Sequence, residues 1–169
     1  NVECAVTYAD QPLGHAVGPG LEARECIETL EKGDVHTDVA DKACVCAGMI
    51  LEMAGIPAGA ARASEILSSG RALEKFREIV SAQGGKSGIS SDDIPLGGFV
   101  SEIVADRSGF VSSISNKAVV AVAKAAGAPS DHGAGVVIHK KRGAKVSKGD
   151  VILTVYAETE EKLQHALSV

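Results

Sequence analysis

The apolar positions of this chain follow two periods, helical through most of the first half and strand-like through much of the second. Residues 2–8, VECAVTY, form a short apolar run of the kind expected of a largely buried strand. A loop, ADQPLGHAVG, follows, and Pro19 is well suited to the first turn of a helix. Leu21, Ala23, Ile27 and Leu30 then recur at helical spacing until Gly33-Asp34. A second helix is expected from Thr37 or Asp38, both good N-caps, to Gly55 and Pro57. AGAARASEILSS predicts a third helix, and GRALEKFREIVSAQ a fourth with Leu73, Phe76, Ile79 and Val80 on its apolar face. One strand and four helices make an incomplete set, because a lone strand has no sheet partner.

The stretch 84–95, GGKSGISSDDIP, has the composition of a linker. Beyond it, GGFVSEIVADRSGFVSSI predicts two strands around Asp106–Gly109, and NKAVVAVAKAAGA a short alanine-rich helix ended by Gly127 and Pro129. GAGVVIHKKRGAKVSKGDVILTVYAE predicts two or three strands joined by glycine turns, and TEEKLQHALSV a last helix capped by Thr159. The expected fold class is α/β (α+β). Residues 1–83 would be the tail of a mixed central α/β domain, 84–95 a linker, and 96–169 a small C-terminal α+β domain with a sheet and two helices.

Composition narrows the function classes. Hydrophobic residues make up 45% of the 169 positions and charged residues 23%, the balance of a globular chain rather than a disordered one. A net charge of -5, with 3% aromatic residues and no Trp, argues against a nucleic-acid polymer or an anionic membrane as partner. No apolar run approaches the ~20 residues of a membrane span. Cys4, Cys26, Cys44 and Cys46 match no zinc framework, and the reading they favour is buried free thiols in a reducing cytosol. His132 and His139 have no acidic companion pattern that would suggest a metal.

The loop before the first helix holds the candidate chemistry. Gly14, Gly18 and Gly20 precede a helix N-terminus, where backbone N–H groups and the helix dipole can face an anion. Its pattern fits neither the dinucleotide nor the P-loop fingerprint, so spacing alone favours a plain connection. Asp10 reads either as a turn-forming side chain or as a carboxyl able to donate a proton from a partly desolvated pocket. Lys42 reads either as an i,i+4 partner of Asp38 or as a cation reaching a ligand phosphate. The run HKKR, residues 139–142, reads as a solvated basic turn.

Five separated motifs occur in one order: DQPLG after a strand, SGRALEKFREIVSAQGG, GFVSEI, AGAPSDHGAGV and V-x-x-G-D-x-I-x-x-x-Y-A-E. Together they resemble the thymidine/pyrimidine-nucleoside phosphorylases over essentially the whole chain, and most closely the archaeal AMP (nucleoside monophosphate) phosphorylase branch. That resemblance implies a dimeric, cytoplasmic glycosyltransferase that uses inorganic phosphate as co-substrate, with no metal and no organic cofactor. It implies Asp10 as the catalytic proton donor, and Gly18 and Lys42 as substrate-binding residues. Position 15, often Arg in that branch, is His here. The family's phosphate- and ribose-binding segments have no counterpart among these residues. The chain opens on Asn1-Val2-Glu3-Cys4, and the expectation is therefore the C-terminal portion of a longer enzyme, inactive by itself. Two other classes compete with this reading. One is a non-catalytic assembly domain. The other is a biotinyl- or lipoyl-like carrier, because GAKVSKGD resembles a carrier turn and Lys117 would be the modified lysine.

Overall fold

A computed structural model describes residues 2–169. They form two compact units, one of residues 2–8 and 26–93, the other of residues 9–25 and 94–169. Among the described residues no helix is long and apolar enough to cross a membrane.

Helix α1 (Pro19–Lys32) contributes residues to both units. The first unit continues with α2 (Asp38–Met53), α3 (Gly59–Ser68) and α4 (Arg71–Ala82). The Thr37 hydroxyl accepts from the Ala40 N–H and starts α2 where the capping pattern placed it. Ala40, Cys44, Ala63 and Leu67 make the core, with Leu30, Val35, Leu51 and Ala72 against it. Helices α2 and α3 touch through backbone. A Cβ on Gly48 would sit 2.6 Å from the Ala60 Cα, and one on Gly59 would sit 2.9 Å from the Gly48 Cα. Helix α3 starts from Ala58, a non-glycine residue at φ 55. The Glu52 side chain accepts from the Gly59 N–H at 3.0 Å and satisfies one of the N–H groups that a helix start leaves without a partner.

Residues 2–8 carry no strand pairing among the described residues, and all seven are exposed. The strand expected there needs a hydrogen-bonding neighbour, and an apolar run cannot supply one by itself. The stretch 84–95 holds ordered turns. Ser91 is buried, with its N–H and hydroxyl on the Glu31 carboxylate at 3.2 and 2.7 Å. The Lys86 ammonium and the Ser90 N–H and hydroxyl hold the Asp93 carboxyl down at about 2. This local contribution is present above the ordinary carboxylate range and is lost as pH falls toward that value.

The second unit is a four-stranded antiparallel sheet with two helices. Its strands are β1 (Ala16–Val17), β2 (Phe99–Val104), β4 (Gly135–Ile138) and β6 (Val151–Ala157), in the order β1-β4-β6-β2. Helices α5 (Asn116–Ala125) and α6 (Glu160–Ser168) pack on β4 and β6. Val136 pairs with Val155, and both are fully buried. Ile138 and Ala157 join them by the two-residue period, under Val119, Ala123, Leu163 and Ala166. Small alanines on both helices allow this close packing. The strands β3 (Gly109–Phe110) and β5 (Lys145–Val146) form a separate two-stranded ribbon. The two strands expected around Asp106–Gly109 therefore exist, but each pairs elsewhere.

Gly48→Ala is expected to lower the stability of the chain by on the order of 2–3 kcal/mol, because both backbones at the α2–α3 crossing must move. Ala58→Gly is expected to raise it by about 0.5–1 kcal/mol by removing a left-handed alanine. Denaturant melts of the two variants beside the parent chain check both signs.

Candidate functional site

The loop 9–18 is built into the second unit from both ends. At its C-terminal end, β1 pairs antiparallel with β4, Ala16 opposite Val137 and Val17 opposite Val136. Just before β1, the Ile138 N–H donates to the His15 carbonyl at 2.7 Å. The His15 ring Nδ1 lies 2.5 Å from the Ile138 carbonyl, and because a carbonyl only accepts, Nδ1 carries the proton. The other edge of this short segment faces a carboxylate. Glu25 accepts from the His15 and Ala16 N–H groups at 2.7 and 3.0 Å, so one side chain of α1 closes the free edge of β1.

Gly18 is the residue on which α1 meets the sheet. Its φ is +135, and a Cβ there would run into the Ala134 carbonyl oxygen and lie 3.0 Å from the Gly135 Cα. Its N–H donates to Glu22 Oε1 at 2.9 Å, and its carbonyl accepts from the Glu22 N–H at 2.8 Å. One turn position on, the Gly20 N–H donates to the His132 carbonyl at 2.8 Å. Two amides of this helix start, those of Gly18 and Gly20, are thus engaged by a carboxylate and a carbonyl of the chain itself.

Asp10 stands at the opposite end of the loop. Its Oδ2 lies 3.3 Å from Arg142 Nη1, and the two side chains are 62% and 51% exposed. The Arg142 N–H donates to Gln11 Oε1 at 3.0 Å, the Lys141 ammonium to the Pro12 carbonyl at 2.5 Å, and Asn116 Nδ2 to the Ala9 carbonyl at 3.1 Å. The basic run 139–142, expected as a solvated turn, instead holds residues 10–12. Its only advance signal was a cluster of cations in an acidic chain. Asp10 and Gly18 therefore share the second unit, eight positions apart in sequence. Lys42 lies in the first unit, half-buried in the second turn of α2, where its ammonium donates to the Tyr8 carbonyl at 2.9 Å.

The remaining candidates are placed as follows. Lys117 is the second residue of α5 and is exposed, a helical position rather than the hairpin tip a carrier lysine occupies. In GAKVSKGD, Asp150 accepts from the Ser147 N–H at 3.1 Å, a bond that lowers its carboxyl below the ordinary value, with Lys140 assisting. His139 Nε2 meets the Thr154 hydroxyl at 2.7 Å. No group of three or more His, Cys, Asp or Glu side chains among the described residues could hold a metal ion. The four cysteines are free, but only Cys44 is buried. The expectation of buried thiols fails for Cys46 because residues two apart on a helix face different ways, and for Cys4 because segment 2–8 is exposed. Cys26 is exposed as well.

Residues 110–169 match the pyrimidine nucleoside phosphorylase C-terminal domain. Similarity to individual proteins extends further. The chain is 48% identical to an AMP phosphorylase of Methanosarcina mazei over 99% of its own length. It is 47% identical to one of Pyrococcus horikoshii over 98%, and 46% identical to AMP phosphorylase 1 of Archaeoglobus fulgidus over 100%. The chain is thus similar to these phosphorylases along nearly its whole length, and its residues 110–169 carry the matched domain. It spans about a third (34%) of the length of these curated relatives. The matched domain covers α5, β4 to β6 and α6, whereas loop 9–18, which pairs into the same sheet, lies outside that match.

Gly18→Ala is expected to cost about 2–4 kcal/mol, from a left-handed alanine and a clash with β4 together. Thermal unfolding of the variant measures it, and a change within experimental error would mean that α1 can shift away from Ala134 freely.

Proposed function

We propose that the whole protein is a nucleotide phosphorylase that converts AMP and inorganic phosphate to adenine and ribose 1,5-bisphosphate. The observation that carries this reading is the 46–48% identity, over 98–100% of the chain, to relatives described as AMP phosphorylases. A phosphate oxygen attacks the anomeric carbon, the C–N bond to the base breaks, and its electron pair passes to the departing ring. Protonation of that ring eases its departure. No metal or organic cofactor enters this scheme, and the working form is a cytoplasmic homo-oligomer, a dimer.

Within this reading Asp10 is the candidate proton donor, with Gly18 and Lys42 contributing to substrate binding. Asp10 is the single acidic side chain of loop 9–18, which supports the assignment. Its carboxyl faces a guanidinium and solvent, whereas a donor needs a proton held in a desolvated pocket. Substrate must therefore displace Arg142 and cover the carboxyl. Lys42 would likewise leave the Tyr8 carbonyl to make a charge-assisted contact with substrate, and Gly18 would offer backbone.

A second reading, phosphorolysis of thymidine or another pyrimidine nucleoside, has in its favour the description of the domain matched at residues 110–169. Purified full-length protein is expected to release adenine from AMP only when phosphate is added, and residues 1–169 alone to release none. Turnover of thymidine or uridine without turnover of AMP would favour the second reading. Asp10→Asn in the full-length enzyme is expected to lower kcat for AMP about 10²–10⁴-fold with little change in KM. An unchanged kcat would remove Asp10 from the chemistry and leave it as an anchor of the loop.

A further inference from the structure

We propose that the turn His139–Arg142 is a positioning clasp, in which Lys141 and Arg142 set where the loop bearing Asp10 lies against the sheet. The proposal deepens the phosphorylase reading, because it gives that loop a mechanical support. The turn leaves directly from β4, whose last residue, Ile138, holds both the carbonyl and the ring of His15. Four residues later the same segment reaches Asp10, Gln11 and Pro12 through Arg142 Nη1, the Arg142 N–H and the Lys141 ammonium, at 3.3, 3.0 and 2.5 Å. Between these two attachments stand only Leu13 and Gly14, and Gly14 takes φ +69 to make the bend. A chain that advances at most about 3.6 Å per residue has little room to drift when both sides of a two-residue span are held.

The contacts are of different kinds. The ion pair between Asp10 and Arg142 is exposed and therefore weak and screened by salt. The bonds to Gln11 and Pro12 do not depend on the Asp10 charge, so the loop stays seated when that carboxyl is released to a substrate. The Arg142 side chain thus holds the carboxyl, while the Lys141 ammonium and the Arg142 N–H hold the loop. An anion-binding role for the turn fits less well, because Lys140 meets Asp150 at 3.4 Å and the two following cations meet acceptors of the loop.

The test compares full-length protein with Lys141→Ala/Arg142→Ala by hydrogen exchange read on peptides covering residues 9–15 and 135–138. Exchange in 9–15 is expected to rise about tenfold or more, with 135–138 unchanged. Lys141→Arg/Arg142→Lys is expected to restore protection of 9–15. In 1 M salt, where screening acts within about 3 Å, wild-type exchange in 9–15 is expected to move only part of the way toward the double alanine variant. With AMP and phosphate, the alanine pair is expected to lower kcat about tenfold and the conservative pair to recover it. Unchanged exchange in 9–15, or exchange rising equally in 135–138, overturns the clasp. Wild-type protein that turns over no AMP defeats the phosphorylase reading instead, and leaves the exchange comparison as a complete test of the clasp.

Discussion

The second unit depends on one close approach of two backbones, Gly18 against Ala134 and Gly135. A side chain at position 18 would separate them. With glycine there, β1 can lie against β4, α1 can start at the sheet edge, and the Gly18 and Gly20 amides can be met by Glu22 and by the His132 carbonyl. Leu21, one residue into this close packing, is 3% exposed, and its Cδ1 lies near the position a Cβ on Gly135 would take. The contact thus couples a turn, a strand pair and a helix start, each too short to persist alone.

From that contact the loop 9–18 acquires its character. A glycine-rich connection before a helix is open to many ligands as a pattern, but here the His15, Ala16 and Gly18 amides and the Ala9, Pro12, His15 and Gly18 carbonyls are engaged within the unit. Its acidic end is left outward, in the reach of Arg142. Lys141, the Arg142 N–H and Asn116 hold residues 9–12 around that carboxylate through acceptors of the loop. The same segment also seals a sheet edge, with Glu25 occupying N–H groups that would otherwise invite another strand.

The first unit solves a similar packing problem by similar means. Gly48 and Gly59 let α2 and α3 cross backbone to backbone, and the small core of Ala40, Cys44, Ala63 and Leu67 fills what remains. A chain with 3% aromatic residues has few large side chains to bury, so close approach replaces bulk. Dispersion is gained from many short contacts between small groups, which makes the glycine positions less tolerant than the surrounding alanines.

The sequence by itself determined the helices, because period, caps and stops are local. Thr37, Ser115 and Thr159 each cap the helix that follows, and α1 to α4 run close to the spans their apolar periods mark. The similarity to phosphorylases was legible too, since it rests on the order of motifs along the chain. Only the tertiary structure decided which strands pair, for a strand's partner is a distant segment: β2 with β6, β3 with β5, and a two-residue β1 that no run of hydrophobics announced. It also decided the surroundings of Asp10. The resemblance to phosphorylases pointed to the carboxyl, but Arg142 stands 132 positions away, and nothing in a basic run says which acceptors folding will bring to it. Local rules act over one turn or one strand, whereas the site's electrostatics are set by chain segments that meet only when the sheet forms.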